Sequence, residues 1–404
     1  MKYVVDNGIL NIEHIQKQLE YMKQQKLLDN HPYKIWQGKD GKWYTYLPDK
    51  EKGRILKKRN TEKEINNIVI QYQKTLLENP TLKEVFDEWN ERRLRLNKIS
   101  QSSYDRYRQT FERHYCEMGK RRIKDITPDE IEDFLEEEIA RCDLTAKGFS
   151  GLKLITKGFL KRASKRKLID LNITDLFNEL DVSDTDFRKT IKEDYEEVFD
   201  EYETPIVEEY IMKNLDLTNI GILLMFVTGI RVGELSSLKY SDFHGNTFNI
   251  RRTETRYRTD DKNKNGNYIW FYGVKEYPKT EAGVRTVVIP NDYKWILKSL
   301  KQYNPNDGYI FERNGKRMNT NIFRRRLERI CKKTNVYLKS PHKIRKTYVT
   351  ILLDNKVDKN LITQQVGHSN ILVSEQSYHR NRKNAERKTQ ILSSIPDFQM
   401  KQVN

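Results

Sequence analysis

The longest apolar run in the sequence, residues 220–227, constrains the fold because it is so short. A helix that spans a bilayer needs about 20 apolar residues. This run instead indicates a buried helix of a globular domain, which Gly229 is expected to end. The chain has 404 residues, whereas one domain usually holds roughly 100–200. The sequence therefore predicts two or three globular domains.

Charge and cysteine usage narrow the class of protein. Lysine and arginine total 75 against 58 acidic residues, which gives a net charge of +17. Binding to nucleic acid releases counterions, so this charge indicates a polyanionic partner, although a merely basic soluble protein would show the same balance. The three cysteines are far apart and form no CxxC pair, which argues against a disulfide framework or a zinc knuckle and fits a reducing cytoplasm. The first residues lack the pattern of a secretory signal.

Residues 1–76 predict a small sheet with helices. A polar helix is expected over 9–28, and Asp40-Gly41 between aromatic runs is a strong hairpin signal. A third strand over 54–58 and a helix capped by Thr61 complete the module. Basic and aromatic residues interleave here, which suits a ribbon in the DNA major groove; the alternative is a solvated sheet edge protected by lysines. The DNA-binding candidates are Lys39, Lys42 and Arg54.

Residues 80–178 predict a helical domain. The run 127–130 (TPDE) is a helix start, with threonine as N-cap and proline at the first position. The helix expected over 144–167 repeats a lysine every four residues, and like charges at that spacing repel. A polyanion alongside would relieve the repulsion; the alternative is an ordinary amphipathic surface helix. The DNA-binding candidates here are Lys153, Lys157, Lys161 and Lys165.

The remaining chain changes character twice. Residues 179–203 hold eleven acids and three bases, which indicates a hydrophilic linker. After the linker, helices alternate with a small sheet, and residues 259–267 are expected to be a loop within a hairpin. The predicted strands lie near 247–252, 268–277 and 284–289, and the predicted helices near 291–302, 319–333, 342–354, 358–366 and 382–394.

Four short segments of this last region carry residue types that suit phosphodiester cleavage. The planar fork of arginine matches the phosphate oxygens on which charge develops. A lysine can protonate the leaving oxygen, and a histidine can accept or orient the proton of a tyrosine, which is neutral at pH 7. Each residue alone also has a structural interpretation, such as a core histidine or a capping arginine. The catalytic candidates are Arg231, Lys279, His342, Arg345, His368 and Tyr378.

The order of these segments resembles the catalytic domain of tyrosine recombinases, the phage and conjugative-transposon integrases in particular. Gly229–Leu235 matches the family's G-x-R-x-x-E-L, and Lys279-Thr280 precedes its R-x-V-x-I/L-P motif. Residues 342–347 match H-x-L-R-x-T with isoleucine for leucine, and 366–369 match L-G-H-S with valine for leucine. Tyr378 follows at the spacing of the family's nucleophile. By the same resemblance, Glu234 matches an acid that supports the active site.

The resemblance implies a multidomain protein, mainly α with small β-sheets. Residues 1–76 would form an N-terminal arm-type DNA-binding domain of three strands plus a helix, preceded by a helix, and residues 80–178 a helical core-binding domain. Residues 179–198 would be an acidic linker and 199–404 the mixed α/β catalytic domain. The insertion near 259–267 and the acidic linker depart from the family's pattern.

The implied function is site-specific recombination, in which DNA is cut and rejoined through a 3′-phosphotyrosine to integrate and excise a mobile element. The reaction would need no metal, other cofactor or ATP. Expected partners are double-stranded attachment sites, three further copies in a synaptic tetramer, and an excisionase or a host DNA-bending protein; no membrane is expected. The expected location is the bacterial cytoplasm, in association with the nucleoid. The alternatives are a type IB topoisomerase-like enzyme, a catalytically silent DNA-binding regulator and a structural nucleoid protein.

Overall fold

The chain divides after Lys189 into two units. The computed structural model describes residues 12–49, 52–277, 283–368, 370–372, 375 and 378–398. No helix in these ranges is long and apolar enough to cross a membrane. Most described residues are helical and the sheets are small and antiparallel, which confirms the predicted fold class.

The first unit contains a three-stranded antiparallel sheet whose strands are paired in chain order, and a helix packs on this sheet. The turn after β1 contains Gly41 with a φ of 74°, a conformation that glycine adopts at little cost. Thr61 and Glu64 form a capping box, so the predicted start of the helix is confirmed. The elements are α1 (Ile12–Asp29), β1 (Trp36–Gln37), β2 (Trp43–Asp49), β3 (Gly53–Arg59) and α2 (Glu62–Glu78).

Five further helices of this unit enclose an aromatic core. Phe86 and Phe111 stack with ring centroids 4.1 Å apart, and Trp89 packs so closely that a Cβ on Gly158 would lie 2.2 Å from it. The helix start predicted at Thr127 is confirmed, and Thr127 and Glu130 form a capping box there. The helices are α3 (Leu82–Arg95), α4 (Gln101–His114), α5 (Pro128–Arg141), α6 (Ala146–Lys165) and α7 (Ile173–Glu179).

A completely buried helix lies at the centre of the second unit. All residues of Leu217–Thr228 are buried, and Gly229 ends this helix with a φ of 65°, as the sequence predicted. A Cβ at Gly229 would lie 2.3 Å from the ring of Tyr348. The helices are α8 (Asp194–Glu197), α9 (Glu203–Lys213), α10 (Leu217–Thr228), α11 (Val232–Leu235), α12 (Trp295–Tyr303), α13 (Thr320–Lys333), α14 (Pro341–Asp354), α15 (Lys359–Val366) and α16 (Ala385–Ser393).

In the second unit, two of the predicted segments differ from the structure. The strand expected over 247–252 ends at Ile250, and a second strand in a different sheet begins at Thr253. The loop expected over 259–267 is shorter, because its hairpin strand continues to Lys262 and Asn263 then closes a tight turn. The strands are β4 (Phe243–His244), β5 (Thr247–Ile250), β6 (Thr253–Lys262), β7 (Tyr268–Lys275), β8 (Arg285–Val288), β9 (Glu312–Arg313) and β10 (Lys316–Arg317).

Candidate active site

Five of the six catalytic candidates lie in the described residues, and the structure brings these five together. Arg231 caps α11, His342 and Arg345 lie on α14, and His368 and Tyr378 follow α15. Lys279, the sixth candidate, lies outside the described residues.

Arg345 is completely buried where two helices end. Its Nη1 donates to the carbonyl of Gly229 at 2.9 Å, and its Nη2 donates to the carbonyl of Val366. Its Nε is also buried and has no hydrogen-bond acceptor among the described residues. Burial, and then the charge of Arg231, lowers the pKa of Arg345 to about 10, so the side chain stays cationic at pH 7.

Arg231 offers the more accessible positive charge, since about 40% of its side chain is exposed. Its Nη1 donates to Glu234 at 2.8 Å and its Nη2 to the carbonyl of Gly367 at 3.5 Å. Gly367 ends α15 with a φ of 65°. Arg231 and Arg345 thus both contact the turn that leads to His368, and together they form a cationic pair suited to binding an anion.

Glu234 is a buried acid that binds Arg231 and Arg285. Arg285 binds it with two parallel hydrogen bonds, at 2.8 and 3.1 Å, and also donates to the carbonyl of Gln365. Burial opposes ionisation, yet the hydrogen bonds of Arg285 and the charges of Arg285, Arg231 and Arg345 lower the pKa of Glu234 to about 2. The sequence placed Arg285 in a motif without a role; the supporting contact with Glu234 pairs residues far apart in the chain, which local patterns do not reveal.

The ring of Tyr378 is buried and lies between two histidines. Its centroid is 4.5 Å from that of His368 and 5.3 Å from that of His342. Burial, and then the charge of Arg345, lowers the pKa of His342 to about 4 and that of His368 to about 3. Both imidazoles are therefore neutral at pH 7, which is the form that can accept or orient a proton.

The DNA-binding candidates of the first sheet lie on and beside one exposed face. Arg54 lies over the ring of Tyr46 at 4.3 Å, and Lys58 over that of Tyr44 at 5.6 Å. Trp36 stacks on Tyr44 and is itself exposed. Lys39 and Lys42 lie in the turn between β1 and β2. Lys58 lies on the same face because β2 pairs with β3.

The four lysines of α6 divide into two pairs. Lys153 and Lys157 are half-buried and lie over the ring of Phe177, at 5.6 and 5.4 Å. Lys161 and Lys165 are exposed and line a cavity of about 450 Å³, called here the basic groove. The residues of the basic groove are Trp89, Arg92, Arg93, Lys98, Gly158, Lys161, Arg162 and Lys165.

A cluster of metal-ligating residue types lies in the first unit. Among the described residues, His114, Glu138 and Cys142 bring their ligand atoms together. However, Arg141 donates to both carboxylate oxygens of Glu138, and His114 Nδ1 lies 2.6 Å from one of them. The carboxylate is therefore engaged in an ion-pair network that ties α4 to α5, and we interpret the cluster as structural.

The chain resembles several known proteins in sequence and in fold. A model of the phage integrase family matches residues 191–385, and a model of the phage integrase N-terminal SAM-like domain matches residues 81–138. Among curated proteins, a XerC-like tyrosine recombinase of Caldanaerobacter subterraneus is 27% identical over 39% of this chain and 44% of its own length. The ICEBs1 integrase of Bacillus subtilis is 22% identical over 62% of this chain and 65% of its own length. The chain thus spans only part of both relatives.

Two solved structures share the fold. The Tn1549 transposon integrase, in complex with a circular intermediate DNA, has a TM-score of 0.57 at 16% identity and covers 78% of this chain and 98% of its own. A lambda integrase tetramer bound to a Holliday junction has a TM-score of 0.53 at 15% identity and covers 88% of this chain and 97% of its own.

Proposed function

Because the chain belongs to the phage integrase family of tyrosine recombinases, we propose that it cuts and rejoins DNA at specific sites through a 3′-phosphotyrosine link to Tyr378. The observation that carries the proposal is the buried tyrosine between two neutral histidines, with the guanidinium of Arg345 5.8 Å from its ring. Arg231 contacts the carbonyl of Gly367, next to His368. The reaction would integrate and excise a mobile element, in line with the mobile-element integrases among its relatives.

In the proposed reaction the hydroxyl oxygen of Tyr378 attacks the scissile phosphorus, and the bond from phosphorus to the 5′ oxygen breaks. His368 or His342 accepts the tyrosine proton, since each imidazole is neutral at pH 7. Arg231 and Arg345 hold the phosphate oxygens on which charge develops, and Glu234 holds Arg231 in place. Lys279 is assigned, from its motif alone, the protonation of the departing 5′ oxygen.

Rejoining reverses these steps on a new strand. A 5′-hydroxyl attacks the phosphotyrosine, the bond from phosphorus to the tyrosine oxygen breaks, and the tyrosine recovers a proton. One phosphodiester is lost and one is formed, so the exchange needs no ATP. The cationic groups supply the electrostatic stabilisation, and we propose that no metal or other cofactor takes part.

The substrate is proposed to be a double-stranded attachment site held by both units. The exposed face of the first sheet would bind arm-type sites, and the basic groove would bind the core site. We propose an arm-binding domain over 1–76, a core-binding domain over 80–178, a linker over 179–198 and a catalytic domain over 199–404. Helix α16 has no buried residue, and Leu392 on it is half exposed. We propose that α16 docks on a neighbouring copy in a synaptic tetramer. The proposed location is the bacterial cytoplasm, at the nucleoid. An excisionase or a DNA-bending protein is the further partner that we propose.

The proposal is tested with a nicked duplex that carries the element's end sequence. Purified protein should form an adduct that survives SDS and disappears on protease treatment, and Tyr378→Phe should form none. Tyr303→Phe is the matched control, because Tyr303 is an exposed tyrosine of the same unit that donates to the carbonyl of Leu215. An adduct that persists in Tyr378→Phe would overturn the assignment of the nucleophile.

A further inference from the structure

Residues 194–204, called here the brace, contact the catalytic helix α14 through a buried acid. Glu197 is only 2% exposed, and its two carboxylate oxygens bind one lysine each, Lys343 and Lys346. These lysines are the immediate chain neighbours of His342 and Arg345 on α14. Glu197 therefore fixes the helix at the two turns that carry catalytic side chains.

The next residues of the brace add a second contact with α14. The backbone N–H of Phe199 donates to Oγ1 of Thr347 at 2.8 Å, and that hydroxyl donates in turn to the carbonyl of Lys343 at 2.9 Å. Val198, Phe199 and Thr347 are all buried. This end of the acidic stretch is consequently built into the core of the second unit.

The opposite side of the brace holds the chain that follows Tyr378. Arg382 lies four residues beyond the tyrosine, and its guanidinium donates to the carbonyls of Phe199 and Asp200 at 3.0 and 3.4 Å and to Oγ1 of Thr204 at 3.2 Å. The backbone N–H of Glu201 donates to the carbonyl of Arg382 at 3.2 Å. Arg382 is thus hydrogen-bonded to the brace through both its side chain and its backbone.

The brace therefore contacts both the helix that carries His342 and Arg345 and the chain that follows Tyr378. We propose that the brace sets the position of Tyr378 relative to His342 and Arg345, with Glu197 and Arg382 as positioning residues. The inference rests on the proposed function, in which Tyr378 is the nucleophile. Attack on a phosphate requires close alignment, and a misplacement of about 1 Å can cost on the order of 10²-fold in rate.

The competing interpretation is that these contacts only stabilise the fold. A stabilising contact would change the unfolding of the protein and leave the cleavage rate of the folded molecules unchanged. A positioning contact lowers the cleavage rate at saturation, and the loss is independent of how easily the leaving group departs. The two interpretations therefore separate in a single-turnover experiment with two substrates.

The experiment uses the full chain in excess over a nicked duplex with the element's end sequence. One substrate has the natural 5′ oxygen and the other a 5′-bridging sulfur, which departs without needing a proton. The variants are Glu197→Gln, Arg382→Gln and Arg382→Lys. Glu193→Gln is the matched control, because Glu193 is exposed and makes no side-chain cap on α8.

We expect Glu197→Gln and Arg382→Gln to lower the saturated cleavage rate by roughly 10²-fold on both substrates, with an unchanged dissociation constant for DNA. Arg382→Lys should fall between Arg382→Gln and wild type, since an ammonium can satisfy part of the three acceptors. Glu193→Gln should match wild type.

Three outcomes would overturn the inference: wild-type cleavage rates in both glutamine variants, a loss that disappears with the sulfur leaving group, or a loss that appears only as weaker binding. If Glu197→Gln does not fold, the Arg382 variants test the inference, because Arg382 contacts the brace at Phe199, Asp200 and Thr204. Failure of the proposed function itself looks different, since wild type would then form no adduct that depends on Tyr378.

Discussion

Replacement of Glu234 by glutamine should destabilise the second unit by about 3 kcal/mol at pH 7. A pKa that falls from 4.5 to about 2 on folding is equivalent to about 3 kcal/mol, at about 1.4 kcal/mol per pH unit. The side chain is only 2% exposed, so solvent screens this interaction little. Loss of one partner from a buried ion pair costs about 3–5 kcal/mol in other proteins, which agrees with this magnitude.

The sign of the pH dependence gives a sharper test. The carboxyl of Glu234 titrates at a lower pH in the folded chain than in the unfolded chain. Its stabilising contribution is therefore complete well above pH 4.5 and is lost as the pH falls from there towards 2. The difference in stability between wild type and Glu234→Gln should shrink by roughly 1 kcal/mol for each pH unit below about 4.5.

The assay is urea denaturation in which hydrogen exchange, measured in peptides that cover α10 and α11, reports unfolding. These peptides report on the second unit by itself. Glu209→Gln is the matched control, since Glu209 pairs with Lys213 at an exposed position, where an ion pair contributes little. The reasoning is refuted if the Glu234 and Glu209 variants lose equal stability, or if the difference between wild type and Glu234→Gln stays constant down to pH 3.

Three further predictions concern separate parts of the chain. Gly229→Ala should lower the free energy of unfolding by more than about 1 kcal/mol in urea denaturation, because its φ is positive and its Cβ would meet an aromatic ring; equal stability would contradict the tight turn. Neutralising Lys161 and Lys165 should reduce the slope of log binding constant against log salt by about 2, whereas Lys153→Gln should leave it unchanged. Burial, and then the arginine charges, lowers the pKa of His368 to about 3, so this imidazole should stay neutral in the folded chain. In the unfolded chain the same imidazole takes up a proton below about pH 6.5. Stability should thus fall as the pH drops from 6.5, and His368→Asn should remove that part of the fall in a pH series of urea denaturations.

Much of the fold was predictable because its signals are local. The capping boxes at Thr61 and Thr127 and the left-handed glycine at 229 use residues within a few positions of each other, and the structure contains all three. The catalytic candidates were found through motif order, and the structure brings the five described ones together. Their catalytic roles remain predictions.

The parts that the sequence did not reveal depend on pairings between distant segments. Arg285 and Glu234 are 51 positions apart and meet only in the folded unit, where β8 lies beside α15. Glu197 was counted among the acids of a hydrophilic linker, although the structure buries it against α14. Lys153 shares its periodic spacing with Lys161 but packs on Phe177, because α7 covers that part of α6. Periodicity describes one helix, and it does not identify the neighbour that covers it.

The position of Arg345 depends on the folding of two other helices. Its two bound carbonyls belong to the last turns of α10 and α15, so the guanidinium is held in place only while both helices are closed. A molecule with either helix end frayed would lose one of the two contacts that hold the guanidinium. Under the proposed function, DNA cleavage would therefore depend on both helix ends being closed.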